Sequence, residues 1–144
     1  MNNPSQNLKT LSILNRTADS KKLSTFLAAY ISSNNIPGYI HDDLRLAIEE
    51  TFINITNYAF DIKGAYPVDI EARRTTDTIS ITIIDSGIAF NPLLDCDKRI
   101  ENNEHCEGGM GIHIIKSLTD KQEYNRINQR NVFTVTKHYT HQHN

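Results

Sequence analysis

Residues 46–60 of this 144-residue chain read LAIEETFINITNYAF and belong to its longest segment with helical periodicity. We predict a helix from about Asp42 to Phe60, because apolar residues recur there at intervals of three and four positions. The predicted core face of this helix consists of Leu44, Ile48, Phe52, Ile55 and Ala59. A helix with one such apolar face is expected to pack against the core of a globular domain.

A row of polar residues lies on another side of the same helix, roughly opposite its core face. Glu50, Asn54 and Asn57 stand at positions i, i+4 and i+7, so their side chains share one face. Such a row is equally typical of a solvated helix surface. Because Leu46 and Ile53 flank it, we expect the row to be partly covered, and covered carboxylate and amide groups need hydrogen-bonding partners. Asn also disfavours a helix interior relative to Ala, so the row is a candidate site.

The segments on both sides of this helix predict a small α+β domain. A strand at 8–14 and a helix capped by Asp19 or Ser20 precede it. The predicted elements that follow are strands at 67–75 and 79–85, a helix at 112–118, and strands at about 121–128 and 131–139. This order predicts one domain over residues 1–144, an α/β two-layer sandwich in which three helices cover one face of a mixed sheet.

A second candidate site is the stretch Asp85-Ser86-Gly87-Ile88-Ala89-Phe90, where a predicted strand ends in a turn. An Asp in this place can accept a hydrogen bond from an exocyclic amine of a base, and Gly87 allows a ligand to approach the backbone. An ordinary Asp-Ser-Gly turn is the more frequent meaning of this tripeptide. The segment alone therefore does not identify a binding site.

A third candidate is the cluster Gly108-Gly109-Met110-Gly111, which follows a long polar loop at 91–107 and directly precedes a predicted helix. Loops of this length often act as lids. Backbone amides at the positive end of a helix dipole can bind phosphate, although a glycine-rich hinge serves a loop equally well. The G-x-G-x-x-G spacing after a strand and the phosphate-loop ending Lys-Ser/Thr are both absent from the sequence, so a phosphate site here would be of another kind.

Composition excludes several classes of function. The chain has 15 basic and 17 acidic residues and a formal net charge of −2, so it lacks the basic excess expected for direct nucleic-acid binding. No apolar run approaches the roughly 20 residues of a membrane helix, and the first residues do not resemble a signal peptide, so we expect a cytoplasmic protein without a membrane partner. Cys96 and Cys106 lie in a polar stretch and give little support to a disulfide or a zinc site.

The three candidate segments together resemble a known family. Glu-x-x-x-Asn on a long helix, Asp-x-Gly-x-Ala at a strand end, and a lid followed by Gly-x-Gly before a helix occur in the order of the N, G1 and G2 boxes of the GHKL ATP-binding domains, which have the Bergerat-type fold. The compact length, the two leading helices and the stretch at 46–60 are similar to the anti-sigma-factor serine/threonine kinases of that superfamily. The resemblance covers nearly the whole chain.

The resemblance implies a role for each matching residue. Glu50 matches the general base that takes the proton of a substrate serine, and Asn54 matches the residue that holds Mg²⁺ beside the phosphates of ATP. Asn57 has no fixed role in the family and is expected to support these two. Asp85 matches the residue that binds the adenine amine, and Gly87 matches the glycine that lets the base lie close.

The resemblance also covers the G2 box, and the sequence departs from the family pattern in two places. The resemblance places four residues at the phosphates and the base of the lid: Gly109, Met110, Gly111 and Ile112. Ala89 stands where the G1 box usually has a second glycine, and an acidic stretch at 104–107 replaces the usual basic residue before the G2 glycines. Neutralising the phosphates would then fall to Lys98, Arg99 or a more distant residue.

The function implied by the resemblance is an ATP-dependent switch in the regulation of transcription. Such a protein binds a regulatory, sigma-factor-like partner and phosphorylates a serine or threonine of an antagonist protein. Two alternatives remain open, namely an ATP-sensing module that binds proteins without kinase activity and a GHKL-type ATPase in which Glu50 activates water. The family also forms homodimers, which here would use the first strand and helix.

Overall fold

A computed structural model describes residues 7–93 and 109–140 of the chain. These residues form five strands, three α-helices and, between the first strand and the first α-helix, a short 3₁₀ turn at Thr17–Asp19. In chain order, the elements are β1 (Lys9–Leu14), α1 (Ser20–Ser33), α2 (Tyr39–Tyr58), β2 (Pro67–Arg74), β3 (Thr78–Asp85), α3 (Gly109–Leu118), β4 (Lys121–Ile127) and β5 (Arg130–His138). The order and type of these elements agree with the sequence prediction.

The five strands form one sheet in the order β1-β2-β3-β5-β4, and each neighbouring pair is antiparallel. The expectation of a mixed sheet is therefore wrong for the described residues. The pairing gives β1, β3 and β4 one direction and β2 and β5 the other. The connection through α3 makes β4 parallel to β3, as in a β-α-β unit, but β5 returns between them and separates the two parallel strands.

One apolar core lies between the sheet and the helices. Inward positions alternate along β2 and β3, where Val68, Ile70, Ile81 and Ile83 are at most 1% exposed. The whole predicted core face of α2 is buried, which confirms its periodicity. Burying one large apolar side chain contributes about 1.5–3 kcal/mol to the free energy of unfolding, so this face fixes α2 firmly on the sheet. Because α2 packs against both α1 and α3, the three helices form a second layer on one face.

Several boundaries differ from the prediction for local reasons. α2 begins at Tyr39, before the predicted start at Asp42, because Pro37 and Gly38 accept the first backbone hydrogen bonds of the helix. β4 ends at Ile127 because Asn128 and Gln129 adopt positive φ angles of 51° and 64° and form a two-residue turn before β5.

Asp19 occupies the N-cap position of α1, as predicted, but its side chain has another role. Asp19 makes no side-chain capping bond and instead ends a short 3₁₀ turn, where its carboxylate accepts hydrogen bonds from the Leu14 amide at 2.9 Å and from Arg16 at 3.1 Å. This carboxylate therefore ties the end of β1 to the start of α1.

The predicted lid falls almost entirely outside the described residues, as do Lys98, Arg99 and both cysteines. Of the helices in the described ranges, none combines the length and the apolar character needed to cross a membrane.

Candidate active site

The polar row of α2 is covered by the first turn of α3. A Cβ atom placed on Gly111 would lie 2.7 Å from Oε2 of Glu50 and 3.5 Å from Nδ2 of Asn54. Glycine therefore lets the α3 backbone approach these two side chains closely. Glu50 is partly buried and Asn54 is fully buried, whereas Asn57, one turn further along, is exposed. The structure thus brings Glu50, Asn54 and Gly111 together and leaves Asn57 at the edge.

Asn54 is the most unusual residue of this group. Its side chain is 0% exposed, and neither Nδ2 nor Oδ1 has a hydrogen-bonding partner within residues 7–93 and 109–140. A buried polar atom without a partner costs about 1–3 kcal/mol, so such atoms are rare in folded proteins unless a ligand or water pairs with them. An amide oxygen is also a suitable ligand for a hard cation such as Mg²⁺. The residue fits the metal-binding role that the resemblance implies.

A cation at Asn54 would need most of its ligands from elsewhere. The described part of the chain holds no group of three or more His, Cys, Asp or Glu side chains that could bind a metal ion by themselves. Mg²⁺ commonly keeps several waters and binds through a few protein oxygens together with substrate phosphates. The arrangement around Asn54 therefore suits a cation that arrives with a phosphate-bearing ligand.

Asp85 is the last residue of β3 and is 1% exposed. Its Oδ1 accepts hydrogen bonds from the Gly87 amide and from Nδ2 of Asn131, both at 2.9 Å. Its Oδ2 is buried and has no partner among the residues that the structure describes. Burial raises the pKa of the Asp85 carboxyl, while the hydrogen bonds from Asn131 and Gly87 and the charge of Arg126 oppose this rise. The free oxygen is an acceptor available to an N–H group of a ligand.

The turn after Asp85 is packed against the C-terminal end of α2. The Ile88 amide donates to the Ala59 carbonyl at 2.7 Å, and a Cβ atom on Gly87 would lie only 2.2 Å from that same carbonyl oxygen. Glycine is therefore required at 87 by the contact with α2, which is a different reason from the close approach of a base that we expected. Ala89 is exposed, so its methyl group displaces nothing buried at this departure from the G1 pattern.

The sequence prediction missed Asn131, the second residue of β5. Its side chain is 2% exposed, and its Nδ2 donates to Asp85 and, at 2.7 Å, to the Ile88 carbonyl. Its Oδ1 accepts bonds from the Phe90 amide, the Tyr124 hydroxyl and the Arg126 guanidinium. One signal was present in the sequence, because Asn131 occupies the inward register of β5 that otherwise carries Phe133 and Val135.

The sequence matches the family of histidine kinase-like ATPase domains over residues 13–137, which is most of the chain. The protein belongs to this family. No curated protein matches the chain. Membership in the histidine kinase-like ATPase family confirms the GHKL resemblance and supports ATP as a ligand, whereas the anti-sigma-factor branch stays a prediction.

The remaining residues of the predicted ATPase site lie in α3 or before it. Gly109 and Met110 belong to the first turn of α3, and Ile112 is buried beside Gly111. Gly108 and the acidic stretch at 104–107 fall outside the described residues. The first turn of α3 lies over Glu50 and Asn54. The assignment of this segment to the G2 box stays a prediction, as do the roles of its individual residues.

Proposed function

We propose that this protein is an ATP-dependent serine/threonine protein kinase that works as a regulatory switch. In this proposal it binds a regulatory, sigma-factor-like partner and phosphorylates an antagonist protein. The observation that carries the proposal is the position of the Glu50 carboxylate beside a buried, unpaired amide of Asn54 and under the first turn of α3. This combination supplies a proton acceptor, a cation ligand and a helix N-terminus in one place.

Adenine recognition is assigned to Asp85. Its Oδ2 has no partner among the described residues and lies on a carboxylate whose other oxygen already accepts two hydrogen bonds. The 6-amino group of adenine is an N–H donor that would satisfy this oxygen. A 6-oxo purine presents an oxygen acceptor at the same position, so no proton would lie between that oxygen and Oδ2 of Asp85. The site is therefore expected to prefer ATP to ITP.

Phosphate binding is assigned to the N-terminal end of α3. The unpaired amides and the dipole of a helix N-terminus favour anions, and Gly111 allows the backbone to come close to Glu50 and Asn54. Asn54 would hold Mg²⁺ through its Oδ1 together with phosphate oxygens and water. When bound, the cation would neutralise charge on the phosphates.

Phosphoryl transfer is assigned to Glu50. Its carboxylate would accept the proton of a serine or threonine hydroxyl as that oxygen bonds to the γ-phosphorus of ATP. The bond between the γ-phosphorus and the bridging oxygen breaks, ADP leaves with that electron pair, and the proton remains on Glu50 until it is released to water. The side chain of Glu50 is only partly buried, so an acceptor hydroxyl can reach it from outside the domain.

A second candidate function is ATP hydrolysis without a protein acceptor. The matched family is described as an ATPase domain, and a carboxylate in the position of Glu50 can take a proton from water as well as from serine. The same partial exposure of Glu50 admits either nucleophile. The two functions differ in the acceptor of the phosphoryl group, so the experiment must follow that group.

The test uses purified protein, γ-labelled ATP and an extract of the native cells. The kinase proposal expects label on an extract protein, and label that appears only as free phosphate would favour the ATPase. Glu50→Gln should keep its affinity for ATP and lose transfer by about 10²–10⁴-fold. The matched control is Glu49→Gln, because Glu49 is paired with Arg45 at 3.1 Å and should not affect transfer. Binding of ATP with neither product would leave only the nucleotide-sensing alternative.

A further inference from the structure

The side chain of Asn131 connects the last hairpin of the domain with the turn that carries Asp85. Its Nδ2 donates to Oδ1 of Asp85 at 2.9 Å and to the Ile88 carbonyl at 2.7 Å. Its Oδ1 accepts the Phe90 amide at 3.0 Å. The turn is thus held on both sides of Ala89 by a single amide, which is itself 2% exposed.

The orientation of this amide is fixed by the donors around its oxygen. The guanidinium of Arg126 at 3.0 Å, the Tyr124 hydroxyl and the Phe90 amide all converge on Oδ1. A flipped amide would place its NH₂ group against these donors and its oxygen against the Asp85 carboxylate. Asn131 therefore presents an N–H group, never an oxygen, to Asp85.

We infer that Asn131 is the positioning residue that sets the preference of the site for a 6-amino purine. With the Gly87 amide it occupies Oδ1 of Asp85, so that Oδ2 is the oxygen left for the ligand. Both N–H hydrogens of the Asn131 amide are already used within the protein, so Asn131 acts through Asp85 and not by touching the base. The inference rests on the proposed binding of ATP at Asp85.

Replacing the amide by a carboxyl group weakens this arrangement. In Asn131→Asp two carboxyl groups face each other inside the protein, and two such groups share a proton because they cannot both be ionised. The shared proton would lie between Oδ1 of Asp85 and the facing oxygen at position 131, where the wild type has an N–H group of Asn131. Oδ2 would then belong to a carboxyl group that has lost part of its negative charge, which makes it a weaker acceptor for a 6-amino group.

The experiment compares the affinities of the full chain for ADP and IDP by calorimetry, since these nucleotides differ at position 6 and neither can transfer a γ-phosphate. We expect the wild-type protein to prefer ADP and Asn131→Asp to lose about tenfold or more of this preference. The control is Asn125→Asp, which makes the same charge change at an exposed position of the same hairpin and should keep the wild-type ratio.

The ratio of the ADP affinity to the IDP affinity distinguishes a positioning role of Asn131 from damage to the fold, because a loosened domain binds both nucleotides more weakly. An unchanged ratio in Asn131→Asp would overturn the inference. If that variant does not fold, Asn131→Ser retains one donor and should lower the ratio about threefold, and an unchanged ratio there would equally overturn it. A wild-type chain that bound neither nucleotide would overturn the proposed function along with it, whereas ADP binding without phosphoryl transfer would leave the inference intact.

Discussion

The first turn of α3 lies directly on the carboxylate of Glu50, since a Cβ atom on Gly111 would be 2.7 Å from its Oε2. The contact joins two segments that are far apart in the chain, and it forms the floor of the proposed phosphate site. The atom in the way is the end of a flexible side chain, whereas the Cβ of a residue at 87 would meet a backbone carbonyl at 2.2 Å. Substitution by alanine is therefore expected to have different effects at Gly111 and at Gly87.

Gly111→Ala is expected to reduce phosphoryl transfer without destabilising the fold. The added methyl group would push the Glu50 carboxylate away from its position. Alanine is favoured over glycine by up to about 1 kcal/mol in a helix interior, and this preference also acts against destabilisation, in reduced measure, in the first turn where Gly111 lies. Thermal unfolding and a transfer assay on the same preparation test this expectation. Gly38→Ala is the control, because nothing lies within 4 Å of its Cβ position. A variant with full activity would show that Glu50 need not stay under α3.

Gly87→Ala is expected to destabilise the protein by roughly 1–3 kcal/mol. The backbone carbonyl of Ala59 cannot rotate away as a side chain can, and the hydrogen bond from Ile88 to that carbonyl would be lost as the turn moves. The free energy of unfolding in denaturant measures the effect. Ala89→Gly, in the same turn but at an exposed position, serves as the comparison. Equal stabilities for the two variants would contradict the packing that we describe between this turn and α2.

Much of the fold follows from periodicity in the sequence. Burial repeats every 3.6 residues along α2 and every second residue along β2 and β3, so local patterns fix which side of each element faces the core. The direction and order of the strands depend on which distant segments pair. Because β5 lies between β3 and β4, no local pattern could show that the sheet is antiparallel throughout the described residues.

The site was predictable only in part, for the same reason. Glu50 and Asn54 could be placed together because they lie one helical turn apart, and the resemblance drew attention to Asp85. The contact of Glu50 with Gly111 and the bond from Asn131 to Asp85 each join residues 46 or more positions apart. A polar residue at an inward strand position signals a partner, but only the folded structure identifies Asp85 as that partner.

Asn54→Leu is expected to make the nucleotide-free protein more stable and to weaken its Mg²⁺-dependent binding of ATP. Leucine has a similar size, and it removes two buried polar atoms that have no partner among the described residues and cost about 1–3 kcal/mol. Unfolding in denaturant and titration with ATP in the presence and absence of Mg²⁺ measure the two effects. Asn57→Leu, at an exposed position on the same helix, should produce neither. A destabilised Asn54→Leu protein would mean that the amide is paired in solution without nucleotide.

Acid is expected to change stability and ATP affinity in opposite directions through Asp85. Burial raises the pKa of this carboxyl above that of the unfolded chain, so the folded protein binds the proton more tightly. Its contribution to stability is then fully present below the unfolded pKa and is lost as the pH rises through the folded pKa. The proton would occupy Oδ2, the oxygen proposed to accept the adenine amine, so ATP affinity should fall as the pH decreases across the same window.

In Asp85→Asn this carboxyl group no longer titrates. Comparison with the wild type therefore gives the contribution of Asp85 to the pH dependence of stability and of ATP affinity. As the pH falls, the free energy of unfolding of the wild type should rise relative to that of Asp85→Asn. The other carboxyl groups titrate in both proteins, so their effects cancel in this difference. The ratio of ATP to ITP affinity in the wild type should fall over the same pH range, since the phosphates are common to both nucleotides. A ratio that stays constant while the stability difference changes would show that Asp85 titrates without contacting the base.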